Sequence, residues 1–63
     1  MTINTGETYG EFVKRVRTAA QLTQAEFGMR LGFTNQTISN WERGANAPLW
    51  SQKIVDEFAK KLK

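Results

Sequence analysis

The chain contains no cysteine and no histidine. The first absence removes disulfide staples. The second removes a usual metal ligand and the side chain best suited to general-base work near neutrality. The acidic residues do not assemble a catalytic set: Glu11 and Glu26 stand where helix caps need them, and Glu42, Asp56 and Glu57 read as ion-pair partners. Enzyme chemistry, cofactors and metal centres are therefore not expected. No apolar run approaches the roughly 20 residues of a membrane-spanning helix, and the first residues lack the pattern of a secretory signal.

With 63 residues there is room for one small domain, residues 1–63, whose core is marginal without staples. Stability then has to come from helix packing, which predicts an all-α fold with short loops. Nine lysines and arginines against six acidic residues give a net charge of +3. That balance favours a polyanionic partner without identifying one, since salt-bridged helices alone also produce it.

The most informative stretch is Gln24–Gly44, QAEFGMRLGFTNQTISNWERG. Thr23-Gln24-Ala25-Glu26 is a capping box, in which the threonine oxygen takes an orphan amide and the glutamate reaches back to the cap's own amide. The helix it starts carries Ala25, Phe27, Gly28 and Leu31 on its apolar face. Gly32 ends that helix, because glycine accepts a left-handed backbone. Thr34 is the expected cap of a second helix, from Asn35 to about Arg43, which stops at Gly44. Residues 23–44 thus read as a helix-turn-helix, the unit that lays its second helix into the DNA major groove.

That second helix has two unlike faces. Ile38 and Trp41, three apart, point inward, whereas Asn35, Gln36, Ser39, Asn40 and Arg43 point out. An ordinary solvated face would be rich in Lys and Glu. One built from Asn, Gln and Ser suits base edges: Asn or Gln pairs bidentately with adenine, and Arg with guanine or phosphate. Thr34 is placed to meet a thymine methyl. The plain alternative is a polar face with no partner.

The flanks supply the rest of the body. Residues 1–7 are polar, contain Gly6 and hold no basic side chain, so they are expected to form a loose arm. Thr8-Tyr9-Gly10-Glu11 is another capping box, which predicts a helix from about Tyr9 to Ala20 with Phe12, Val13, Val16 and Ala20 inward. Leu22 is placed as a hydrophobic staple before the Thr23 cap. After the link Ala45–Pro48, a last helix is expected from about Pro48 or Ser51 to Leu62. Trp50, Ile54, Phe58 and Leu62 recur along it every four residues, widened by Val55 and Ala59, with Asp56–Lys60 and Glu57–Lys61 pairs on the far side. The stripe is wide for so small a body, so Trp50, Phe58 and Leu62 are candidates for a protein-partner surface as well as for core.

As a spaced set these residues resemble the lambda-repressor-like family of phage repressors, Cro proteins and bacterial regulators. Gln24 opens the first motif helix, Gly28 lies where the two helices touch, Gly32 makes the turn, and Ile38 and Trp41 enter the core. Glu42-Arg43-Gly44 matches the helix-ending signature, and Pro48 the proline after it; the likeness runs from about Phe12 to Leu62. It implies a compact four- to five-helix domain, a sequence-specific transcriptional regulator of repressor or Cro type. Such a protein would bind a double-stranded DNA operator in the cytoplasm of a bacterial host.

Within that resemblance Asn35, Gln36 and Asn40 are the base readers, with Ser39 and Thr34 supplementary. Thr23, Gln24, Arg17 and Arg43 are the phosphate contacts, Gln24 with help from its helix N-terminus. The family also implies an Arg17–Glu42 pair that turns Arg17 towards the DNA backbone; the alternative is an unpaired surface arginine. Many relatives carry Lys or Arg in the loop that is Ala45–Pro48 here. This chain has none, which leaves Asn46 and the loop amides and implies lower affinity. Relatives commonly continue into a further short helix that supplies the dimer contact, so a homodimer on DNA requires further chain or a different surface. A second reading is a small phage-switch modulator whose main target is a partner repressor protein, docked on the Trp50 face or on the recognition helix. An antitoxin-type regulator would need an extension for its toxin.

Overall fold

Three of the four described helices begin where a threonine takes up an orphan amide. The computed structural model describes residues 2–62, and among them lie four helices: α1 (Tyr9–Ala19), α2 (Gln24–Leu31), α3 (Asn35–Glu42) and α4 (Leu49–Lys60). Met1, the first residue of the arm read from the sequence, and Lys63 lie outside the described residues. Both capping boxes form. Thr8 Oγ1 accepts the Glu11 amide at 3.1 Å while the Thr8 amide donates to Glu11 Oε1 at 2.9 Å. Thr23 and Glu26 repeat the arrangement at the same two distances. Those bonds hold the Glu26 carboxyl below its ordinary value, the Thr23 amide first among them. Thr34 Oγ1 caps α3 through the Thr37 amide at 3.1 Å. Pro48 precedes α4 and offers no side-chain cap.

Helices α1, α2 and α3 each end at a left-handed residue. Gly32 (φ 86°) and Gly44 (φ 106°) adopt that backbone without a Cβ to strain. After α1 the position falls on Gln21 (φ 61°). The Gln21 amide donates to the Thr18 carbonyl at 3.0 Å and the Leu22 amide to that of Arg17 at 3.1 Å. These are the two bonds of a Schellman closure, so a residue with a side chain occupies a glycine's place.

The core gathers Phe12, Val13 and Val16 from α1, Phe27 from α2, Ile38 and Trp41 from α3, and Val55 and Ala59 from α4. Helix α3 packs against both α1 and α2, and two glycines set how closely. A Cβ on Gly28 would stand 2.8 Å from the Phe33 carbonyl oxygen and 3.0 Å from that of Thr34, at the entry to α3. A Cβ on Gly10 would collide with the Trp41 carbonyl oxygen and lie 3.2 Å from that of Glu42, at the exit.

Several expectations change. Ala25, assigned to the apolar face of α2, is exposed, and Ala20 is half-buried. The buried line of α4 is Ser51, Val55 and Ala59. Its small side chains let that line seat deepest, and the larger Ile54, Phe58 and Leu62 are half-buried. Trp50 is 63% exposed. The Ser51 hydroxyl satisfies itself on the Pro48 carbonyl at 2.6 Å. An ion pair on the outer side of α4 joins Glu57 to Lys60 at 3.7 Å, one residue short of the spacing expected.

The segment read as a loose arm is tied to α1. Side chains on a helix lean towards its N-terminus, and Arg15 reaches back to donate to both Glu7 oxygens (Nε at 2.9 Å, Nη2 at 3.0 Å) and to the Thr2 carbonyl. Glu7 and Asn4 exchange two further bonds of 2.9 and 3.0 Å. The Arg15 guanidinium holds the Glu7 carboxyl below its ordinary value. Tyr9 carries the one buried side-chain polar atom left without a partner among the described residues, its hydroxyl. Burial, with Asp56 adding to it, pushes that phenol well above its usual range.

Two substitutions test these backbone arguments. Gln21→Gly should raise stability by about 0.5–1 kcal/mol, read from urea melts, because it relieves the left-handed position. Gly10→Ala should lower it by about 1–3 kcal/mol through overpacking. Helix propensity alone predicts a gain there, so the sign decides.

Candidate nucleic-acid interface

At about 100° per residue, α3 turns Asn35, Gln36, Ser39, Asn40 and Arg43 onto one arc and Ile38 and Trp41 onto the opposite one. Ile38 and Trp41 are buried; Asn35, Gln36, Asn40 and Arg43 are exposed, and Ser39 is half-buried. Thr34, also exposed, divides its hydroxyl between the Thr37 amide and the Thr37 hydroxyl at 2.9 Å. Two bonds run along the polar face. Gln36 Nε2 donates to Asn40 Oδ1 at 2.9 Å, and Arg43 Nη2 donates to Ser39 Oγ at 3.2 Å. Neither was anticipated from the sequence, although the i, i+4 spacing of both pairs was its only available signal.

The side of the motif is closed by one carboxylate. Arg17 donates to Glu42 through Nε (2.7 Å to Oε2) and Nη2 (3.2 Å to Oε1), and its Nη1 donates to the Leu22 carbonyl at 2.9 Å. Arg17 is therefore paired, with its side chain 14% exposed and that of Glu42 7% exposed. Gln24 Nε2 donates to the same Glu42 Oε1 at 3.2 Å. So Arg17 of α1, Gln24 at the start of α2 and Glu42 at the end of α3 form one cluster. Thr23, exposed beside it, accepts the Glu26 amide and keeps an O–H able to donate.

Arg43 and Asn46 follow Glu42 in the chain, outside its hydrogen-bonded cluster with Arg17 and Gln24. They share an open cleft of about 530 Å³ with Thr8, Glu11, Glu42 and Gln52, so two of the phosphate candidates flank the N-terminus of α1. The aromatic side of α4 is separate again. Trp50 leans on Phe33 (ring centroids 5.7 Å apart), and Phe33 in turn meets Trp41 edge-on at 4.9 Å. Phe58 packs edge-on against Phe27 at 5.3 Å, and Leu62 also rests on the core. Of the three residues considered for a partner surface, Trp50 alone is exposed.

A family model described as helix-turn-helix matches residues 13–63. The chain belongs to the lambda-repressor-like helix-turn-helix family. Searches among curated proteins and solved structures found no match. The family is one of DNA-binding regulators, and the four-helix architecture agrees with it. This is a DNA-binding helix-turn-helix protein, and none of its described helices is long and apolar enough to cross a membrane.

The cluster on Glu42 is open to a direct test. Glu42→Ala leaves the Arg17 guanidinium without its counter-charge in a largely buried place, and should cost about 3 kcal/mol in a urea melt. Arg17 would merely be a surface cation if the loss stayed below about 0.5 kcal/mol.

Proposed function

We propose that the protein regulates transcription by reading a specific duplex operator, in the manner of a phage repressor or Cro protein in a bacterial cytoplasm. The observation that carries this reading is the amide-rich arc of α3, turned away from the core, with Arg43 on the same arc and Gln24 bonded to Glu42 at the end of α3. Asn35, Gln36 and Asn40 meet base edges, supplemented by Ser39 and Thr34. Thr23, Gln24, Arg43 and Asn46 contact phosphate and fix register. Arg17 acts mainly through Glu42 and Gln24, presenting only its remaining exposed edge to the backbone.

Selection from a random duplex library at moderate salt tests the reading. An enriched inverted repeat with half-sites about 10 bp apart identifies a dimer on its operator. A single enriched half-site identifies a monomer on DNA, and a pool without enrichment overturns the assignment of α3 as reader. On the enriched site, Arg43→Ala should weaken binding almost uniformly across sequences and lower the salt slope by about 1. A loss confined to one base position moves Arg43 among the readers.

One observation favours a second reading. Leu49 and Trp50, neighbours at the start of α4, are 81% and 63% exposed. Large apolar side chains displayed together suit a protein contact, whether with a second copy on DNA or with a partner repressor in a phage switch. Apolar docking persists at salt that releases phosphate contacts. Binding of a candidate repressor at high salt, abolished by Trp50→Ala, supports this reading, and salt-sensitive binding indifferent to Trp50 overturns it.

A further inference from the structure

We infer that Gln36 and Asn40 read DNA as one unit, Gln36 on adenine and Asn40 on guanine one or two base pairs away. The inference rests on α3 being the reader, and adds to it which base each amide selects. Its basis is the 2.9 Å bond from Gln36 Nε2 to Asn40 Oδ1 between two exposed side chains one turn apart.

A primary amide carries two N–H donors and one oxygen. The bond uses one donor of Gln36 and turns the oxygen of Asn40 towards its neighbour. Gln36 keeps its oxygen and a second N–H, the complement of adenine's N6 amino group and N7. The Asn40 oxygen keeps a second lone pair but is held towards Gln36, which leaves the amino group as the part of the amide free to face the bases. Guanine offers O6 and N7, both acceptors, whereas adenine would set its N6 amino group against a donor. Ser39 and Arg43 are bonded to each other, a second i, i+4 pair on the same face. Four residues of helix rise about 6 Å against about 3.4 Å per base step, which places the two bases on neighbouring or next-neighbouring pairs.

The pairing also divides labour. Free asparagine prefers adenine, because its oxygen and amino group match that base bidentately. Here Gln36 weakens that preference in Asn40 by holding the oxygen towards itself and off the bidentate approach. Gln36 is then a specificity-determining residue at two positions, one of which it does not touch.

Library selection with the wild type, Gln36→Ala, Asn40→Ala, Asn40→Asp and the double alanine variant tests this, with circular dichroism confirming that each variant stays helical. The wild type should enrich adenine at one position and guanine at a second. Gln36→Ala should lose the adenine and swing the second position from guanine towards adenine by roughly tenfold. Asn40→Asp keeps an acceptor for Gln36 and should lose the guanine while retaining the adenine. The losses of the two alanine variants should fail to multiply in the double variant, by a factor on the order of five. If Gln36→Ala leaves the second position unchanged and the losses multiply, the unit is overturned while α3 remains the reader. If the wild type enriches nothing, both fall.

Discussion

Glu42 stands on the last turn of α3 with its carboxylate largely buried, taking two bonds from Arg17 of α1 and one from Gln24 of α2. A carboxylate at a helix C-terminus faces the negative end of the helix dipole, and the Arg17 guanidinium offsets both that repulsion and the desolvation. The interaction is directional, since two parallel N–H···O bonds fix the angle between the guanidinium and the carboxylate. The glycines complete the constraint. Gly28 lets α2 press against the entry of α3, and Gly10 lets α1 press against its exit. With both ends held, the rotation of α3 about its own axis is set, and the amide arc has one direction to face.

The amount of charge available for DNA is small. The net charge is +3, and the Ala45–Pro48 link before α4 holds no Lys or Arg. On the proposed reading, the backbone is met by neutral donors and by helix N-termini as much as by cations, with Gln24 already aligned by Glu42. Neutral donors release no counterions. Recognition therefore leans on amide geometry at the bases more than on non-specific attraction, and pre-formed bonds among those amides gain weight.

The parts of this fold legible in the sequence are those where one residue type answers one local need. Thr8, Thr23 and Thr34 announce their caps, and Gly32 and Gly44 their left-handed turns. Ile38 and Trp41 stand at inward spacing and are buried as expected. Other features depend on what lies across space. Gly10 reads as an ordinary first-turn residue until the α3 carbonyls are set against it. Gln21 has no propensity for the backbone it adopts; the closure of α1 imposes it. In α4, size misleads: the large residues mark a stripe, but the small Ser51, Val55 and Ala59 seat deepest. The tie from Arg15 to residues 2–7 escapes notice because charged side chains in a polar segment read as solvated. The Arg17–Glu42 pair, 25 residues apart, was visible only through the family resemblance.

The three turns that follow α1, α2 and α3 reverse the chain within a few residues, two of them on glycine and one on a strained glutamine. Short closures of this kind keep partners close along the chain, and α3, the second helix of the motif, touches the helices on its N-terminal side. Little loop entropy separates the unfolded chain from its native contacts. Such topologies fold in microseconds to milliseconds. The surface proposed to read DNA is thus held by the same local contacts that pack α3 against α1 and α2.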